Sequence, residues 1–165
     1  MATLIDEPVG PHAYGGVVAA LRKVFDELEI CGLGDILSKG GVGSILLAQQ
    51  LGHKLVPGDK GADAVDNEDK AYEYKVSITN QFNFNFGGRK VTHDPETVVK
   101  RHFAKIAGAY CALREREKFV RIVYCPAEPL IADLVEYFKR SKAAIFLKQF
   151  GVESFAALPG AVRVL

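Results

Sequence analysis

The chain has 165 residues, 48% of them hydrophobic and 25% charged, with a formal net charge of +1. That is long enough for one domain with a real core, and it excludes a disordered chain, a fibrous one and one that is basic all over. No apolar run approaches membrane-spanning length. Met1-Ala2-Thr3-Leu4-Ile5-Asp6-Glu7 lacks the basic head and apolar core of a secretion signal, so no membrane partner and a cytoplasmic location are expected.

In chain order, Val17, Val18, Leu21, Val24, Phe25 and Leu28 recur at helical spacing, which predicts a helix over about 13–29 that Gly32 and Gly34 end. It is a candidate dimerisation element, with plain core packing as its alternative. Asp35 reads as a helix cap. Ser44 to Gln50 reads as a second short helix stopped at Gly52, and Lys54-Leu55-Val56 leads into a hairpin. Asn67 to Lys70 is a polar, turn-prone run between Ala64-Val65 and a strand from Tyr72 to Ile78. Asp94-Pro95-Glu96 combines an N-cap, an N1 proline and an acidic first turn, and predicts a helix running to about Arg116 with Val99, Phe103, Ile106, Ala107, Tyr110 and Leu113 as its apolar stripe. Phe119 to Tyr124 is strongly β-prone, and Pro129 to Arg140 reads as another helix. No repeat or linker divides the chain, which predicts a single α/β domain over 1–165, a small mixed β-sheet flanked by α-helices. Cys31, Cys111 and Cys125 are odd in number and scattered, as buried free thiols in a reducing compartment would be.

The chemistry concentrates between Asp63 and Lys75. Alternate side chains of a strand share a face, so Glu73 and Lys75 project together while Tyr72 and Tyr74 turn to the core. Across the hairpin, Asp63 can sit beside Glu73. Two carboxylates at that separation suit Mg²⁺, which keeps several waters and accepts phosphate oxygens as further ligands. Lys75 can then hold or help deprotonate an attacking water, or stabilise a pentavalent phosphorus. The plain alternative is a polar hairpin with solvated charges. Asp66 reads as a turn residue or an extra metal contact.

Downstream, Gln81-Phe82-Asn83-Phe84-Asn85-Phe86 alternates amide and aromatic, placing Gln81, Asn83 and Asn85 on one face. Asn and Gln pair bidentately with adenine, and a β-ribbon can enter the major groove. This strand, Arg89 and Lys90 in the next loop, and His93 are therefore candidate DNA-reading residues; solvated amides on a half-buried strand are the alternative. His93 and His102 read as structural or DNA-contacting residues rather than general bases, and His12 and His53 belong to no constellation. The charges are also unevenly spread. Up to residue 85 seven basic residues face twelve acidic ones, and from Phe86 to Lys148 thirteen face seven. An acidic metal centre beside a phosphate-gripping surface would look like this, as would solvated helix faces.

The run from Leu55-Val56-Pro57-Gly58 through Asp63-Ala64-Val65-Asp66-Asn67 to Tyr72-Glu73-Tyr74-Lys75 resembles the core of the PvuII-like type II restriction endonucleases, members of the PD-(D/E)xK nuclease superfamily. A fainter likeness extends upstream through Gly32-Leu33-Gly34-Asp35-Ile36 and Gly40-Gly41, so that it spans about 30–78. The resemblance implies a restriction-endonuclease-like core and Mg²⁺-dependent cleavage of double-stranded DNA by a homodimer, with Mn²⁺ able to replace Mg²⁺. It makes Asp63 and Glu73 metal ligands and Lys75 the catalytic lysine, in a prokaryotic restriction system with a cognate DNA methyltransferase. The chain departs from the family at three points: Ala62 replaces the usual proline, which is tolerable because that proline is not a ligand, Lys39 stands where an acidic residue contacts DNA, and no histidine-rich recognition segment is recognisable beyond Ile78, so the resemblance carries over the catalysis but not the target sequence. A structure-specific repair or junction-resolving nuclease of the same superfamily, and a non-catalytic DNA-binding protein with the same fold, are the alternatives.

Overall fold

In the computed structural model the described residues are 15–33, 41–56, 61–89 and 93–165. The expectations for His12, Gly34, Asp35, Lys39 and Lys90, and for the Pro57 to Lys60 stretch, lie outside them.

Two helices come first, α1 (Gly15–Ile30) and α2 (Val42–Leu51). Gly52 ends α2 in the left-handed conformation at φ 70°, with its N–H on the Ala48 carbonyl. The strands β1 (Lys54–Leu55), β2 (Ala64–Val65) and β3 (Ala71–Ser77) form an antiparallel run. Next come β4 (Phe82–Arg89), α3 (Pro95–Phe103), β5 (Ile106–Glu115), β6 (Lys118–Pro126), α4 (Ala127–Arg140), β7 (Ile145–Phe150), α5 (Val152–Ala156) and β8 (Val162–Arg163). The main sheet is mixed and six-stranded, in the order β1-β2-β3-β5-β6-β8, and β4 pairs with β7 in a separate two-stranded ribbon. The parallel pair β3·β5 sits at its centre, with β4 and α3 supplying the crossover between them.

The hairpin, the Asp94 cap and the helix to Arg140 form as their sequences predict. Asp94 accepts from the Thr97 N–H at 2.8 Å, and Pro95 opens α3. The long helix to Arg116 does not form. The chain leaves α3 after Phe103, and Ile106–Glu115 is the strand β5, paired parallel to β3 on one side and antiparallel to β6 on the other. A central strand covered on both faces is apolar at almost every position: Ile106, Gly108, Ala109, Cys111 and Ala112 are all buried. Such a run satisfies a helical stripe as readily as a strand. In the strand, position 108 has no room for a side chain, because a Cβ there would lie 2.5 Å from the Cys125 carbonyl oxygen and from the Tyr124 ring.

The sheet divides the core. On one face α2 covers Ala64, Tyr72, Tyr74, Ala112 and Ile122 with Leu47 and Ala48. On the other, α3, α4, α5 and the β4·β7 ribbon pack Phe82, Phe84, Phe103, Phe138, Phe146, Phe150 and Phe155 over Ala109, Cys111, Val123 and Cys125. Cys111 and Cys125 are thus buried free thiols, as expected, but Cys31 is exposed, because it follows a helix that stands clear of the core. In α1 only Leu28 is buried; Val17, Val18, Leu21, Val24 and Phe25 all remain exposed, so plain core packing does not account for its stripe.

Gly108→Ala is expected to lower stability by about 1–3 kcal/mol, since β5 and β6 must part to admit the methyl group. Urea unfolding measures it, and an unchanged midpoint would contradict the close packing of these two strands.

Candidate active site

Strand alternation puts Tyr72 and Tyr74 on the α2 face and Glu73 and Lys75 on the phenylalanine-rich face, opposite Ala109 and Cys111 of β5. Glu73 is the one buried charged residue among the described residues, at 6% exposure. A buried carboxylate persists as an ion only where donors replace its lost hydration. Lys75 Nζ lies 2.5 Å from Glu73 Oε1, and His102 Nε2 lies 3.2 Å from Glu73 Oε2. Burial alone would push the Glu73 carboxyl up, but the His102 hydrogen bond and the charge and hydrogen bond of Lys75 together hold it below the usual carboxylate range.

Asp63 is brought alongside by backbone pairing. Its N–H donates to the Tyr72 carbonyl at 2.9 Å, and its Oδ2 accepts from the Tyr74 N–H at 2.6 Å. Because β2 is only two residues long, Tyr74 N–H has no strand partner there, and the Asp63 carboxylate takes that place. Asp63 therefore brackets Glu73 from the residues on either side of it. Its carboxyl is pushed up by burial first and then by the Glu73 charge, against the pull of Tyr74 N–H, Lys75 and His102. Two carboxylates share this corner, and the cations present compensate Glu73 more fully than Asp63.

The other site expectations resolve unevenly. Asp66 is a turn residue: Oδ1 accepts from the Glu68 and Lys70 N–H groups, both at 2.9 Å, and Oδ2 from Tyr72 Oη at 2.8 Å. His53 does belong to a constellation, stacked on Tyr72 with Nδ1 2.8 Å from Tyr74 Oη, and burial lowers its pKa despite Asp66. In β4 the expected alternation holds, with Phe82 and Phe84 buried and Gln81, Asn83 and Asn85 exposed. Arg89 ends β4 opposite Ile145, and His93 is exposed just before the α3 cap. The basic segment is not a uniform cationic surface: Lys100 and Lys139 both pair with Glu96, Lys148 with Asp133, Arg140 with Glu136 and Arg121 with Glu153.

Two residues join these groups that sequence reasoning did not place there. His102 reaches Glu73 from the end of α3, a contact invisible while α3 is read as continuing to Arg116. Gln149 of β7 lies opposite Asn83 and donates to its Oδ1 at 2.9 Å, extending the amide row across the ribbon. Its position depends on a long-range register that no local pattern encodes. Asn85 Oδ1 accepts from Gly87 N–H at 3.1 Å, so both amide oxygens already hold one donor and keep a lone pair for another.

No family model matches the chain, and no curated protein matches it. The geometry and the sequence pattern carry the functional reading. Among the described residues, no group of three or more His, Cys, Asp and Glu side chains is arranged to hold an ion. Two neighbouring carboxylates are the kind of donor Mg²⁺ uses, since it binds through one or two carboxylates and completes its shell with water and phosphate oxygens. The mutual repulsion that raises Asp63 is also what a divalent cation between the two would relieve.

In metal-free buffer, Asp63→Asn is expected to stabilise the protein at neutral pH. A carboxyl whose folded pKa is raised makes the native state bind more protons than the unfolded one, so stability falls as pH rises through the window above the ordinary aspartate value. The gain from the amide should accordingly shrink as pH drops toward about 3.9. Melting curves in EDTA across this range test it; a variant less stable at every pH would show that the Asp63 charge is not a strained one.

Proposed function

We propose that the chain is a Mg²⁺-dependent endodeoxyribonuclease of the restriction-endonuclease-like type, acting on double-stranded DNA as a homodimer. The observation that carries this is the convergence of Asp63 and Glu73 across the β2·β3 hairpin, with Lys75 on the same face as Glu73 and against it. The likeness of the Asp63 to Lys75 run to PvuII-like enzymes supports the same assignment.

Asp63 and Glu73 would hold the ion, which supplies a bound water of lowered pKa and neutralises charge on the scissile phosphate; Mn²⁺ would serve on the same oxygen donors. Lys75 is anchored by Glu73 and by its position 5.5 Å from the Phe84 ring centroid, and its ammonium can hold the attacking water or balance the charge of a pentavalent phosphorus. The phenylalanine core beneath keeps both groups on a rigid strand, which limits reorganisation during the reaction. The amides of Gln81, Asn83, Asn85 and Gln149 form the exposed face of a two-stranded ribbon, a shape that fits the major groove. Arg89, Lys90 and His93, at and beyond the end of β4, are the accompanying DNA contacts in this reading. The exposed stripe on α1 supports self-association, which would present two active sites to a palindromic target and cut both strands. A partner methyltransferase follows from the restriction reading alone.

A second reading, a DNA-binding protein with this fold and no chemistry, draws on one observation: Lys75 and His102 already engage both oxygens of Glu73.

Incubating the protein with bacteriophage DNA and Mg²⁺, and sequencing the ends, separates the readings. Discrete fragments with one common terminal sequence are expected, abolished by EDTA and by Asp63→Ala. Cutting confined to branched or damaged DNA would favour a structure-specific nuclease, and no metal-dependent cutting of any substrate would support the non-catalytic protein. Asn83→Ala and Asn85→Ala should each lower specific cleavage about 10-fold or more, as loss of a base contact worth roughly 1–3 kcal/mol requires, while leaving metal binding unchanged. Normal cutting by both at the original site would remove the ribbon from DNA reading.

A further inference from the structure

The end of α3 carries a contact that the three-residue motif does not contain. His102 projects from the last turn of the helix onto Glu73, twenty-nine residues away in sequence, with Nε2 3.2 Å from Oε2. Its ring is held edge-on between aromatic neighbours, against Phe86 at 5.0 Å and Phe103 at 5.0 Å between centroids. Phe103 is buried in the core and Phe86 packs against it. These ring contacts support the imidazole from two aromatic neighbours while leaving its side chain about a third exposed, at 32%. An ionised carboxylate only accepts hydrogen bonds, so Nε2 must carry the hydrogen and donate. The consequence is a division of labour on Glu73: Lys75 takes Oε1, His102 takes Oε2, and a carboxylate on a strand with rotatable side-chain bonds is fixed from both sides.

Resting on the reading of Asp63 and Glu73 as metal ligands, we propose that His102 is a positioning residue that orients the Glu73 carboxylate toward the metal. A carboxylate oxygen with two lone pairs can accept the imidazole N–H and face an ion at the same time, so the contact need not be broken on binding. Partners of this kind that hold metal-binding side chains contribute to affinity without touching the ion.

The test is Mn²⁺ binding to DNA-free protein, followed by the paramagnetic signal of the free ion, for the wild type, Asp63→Ala, His102→Ala and His102→Gln. The glutamine amide can place an N–H donor near the position of Nε2. His102→Ala is expected to weaken Mn²⁺ binding by about 10- to 100-fold, the range typical of such supporting partners, and His102→Gln to recover most of that loss. Far-ultraviolet circular dichroism and urea midpoints of the two His102 variants show whether either has simply unfolded; a purely structural role would lower the midpoint and leave the affinity of the folded fraction unchanged. Wild-type affinity in a folded His102→Ala, with binding still lost in Asp63→Ala, overturns the role of His102 and leaves the metal site standing. Wild-type protein that binds no Mn²⁺ overturns both.

Discussion

A charged carboxylate buried in the middle of an interior strand is the constraint around which this molecule is arranged. Glu73 sits on β3 between β2 and β5, on the face that carries the large phenylalanine core. An isolated charge there would cost several kcal/mol. Lys75 two residues along the strand and His102 at the end of α3 offset that cost, each through one carboxylate oxygen. Replacing the set with apolar side chains would in general be as stable or more so. The proposed function gives the buried charge a use that folding does not require.

The neighbours of Glu73 follow from its setting. β2 begins only at Ala64, and the strand N–H this leaves on Tyr74 is met by Asp63, which places a second carboxylate beside the first. On the opposite face Tyr72 and Tyr74 bury their rings under α2, while Asp66 and His53 take their hydroxyls, so β3 is held from behind by a polar network. The ribbon of β4 and β7 leaves the sheet and packs its phenylalanines onto the face carrying Glu73 and Lys75, with its amides turned outward. Asn80, in the turn between β3 and β4, accepts from Val152 N–H at 2.7 Å and ties that turn to α5. The ribbon and the carboxylate pair are therefore parts of one packed unit.

Much of this was legible in the sequence where the signal is local. The two-residue period from Tyr72 to Lys75, the polar turn at Asn67 to Lys70, the amide and phenylalanine alternation of Gln81 to Phe86, and the cap at Asp94 each specify their own geometry, and each forms. What failed was a period shared by two structures. Ile106 to Leu113 is apolar on both faces because β5 is central, and the helical stripe drawn through Val99, Phe103, Ile106 and Tyr110 joined the end of a real helix to the start of a buried strand. The His102 contact depends on α3 ending at Phe103, and the place of Gln149 opposite Asn83 is set by register across more than sixty residues, so neither is encoded locally. Cys31 is exposed although cysteine usage alone predicts a buried thiol, because it follows a helix with only Leu28 buried.

On the proposed function, Asp63 and Glu73 together hold a divalent cation beside Lys75. Crystals soaked in Mn²⁺, with anomalous difference maps recorded near the manganese edge, test it directly. A peak within direct coordination distance of a carboxylate oxygen of both Asp63 and Glu73 is expected, with Lys75 still within reach of Glu73. Well-ordered crystals with no peak at that corner, or with manganese bound only elsewhere on the surface, would contradict it.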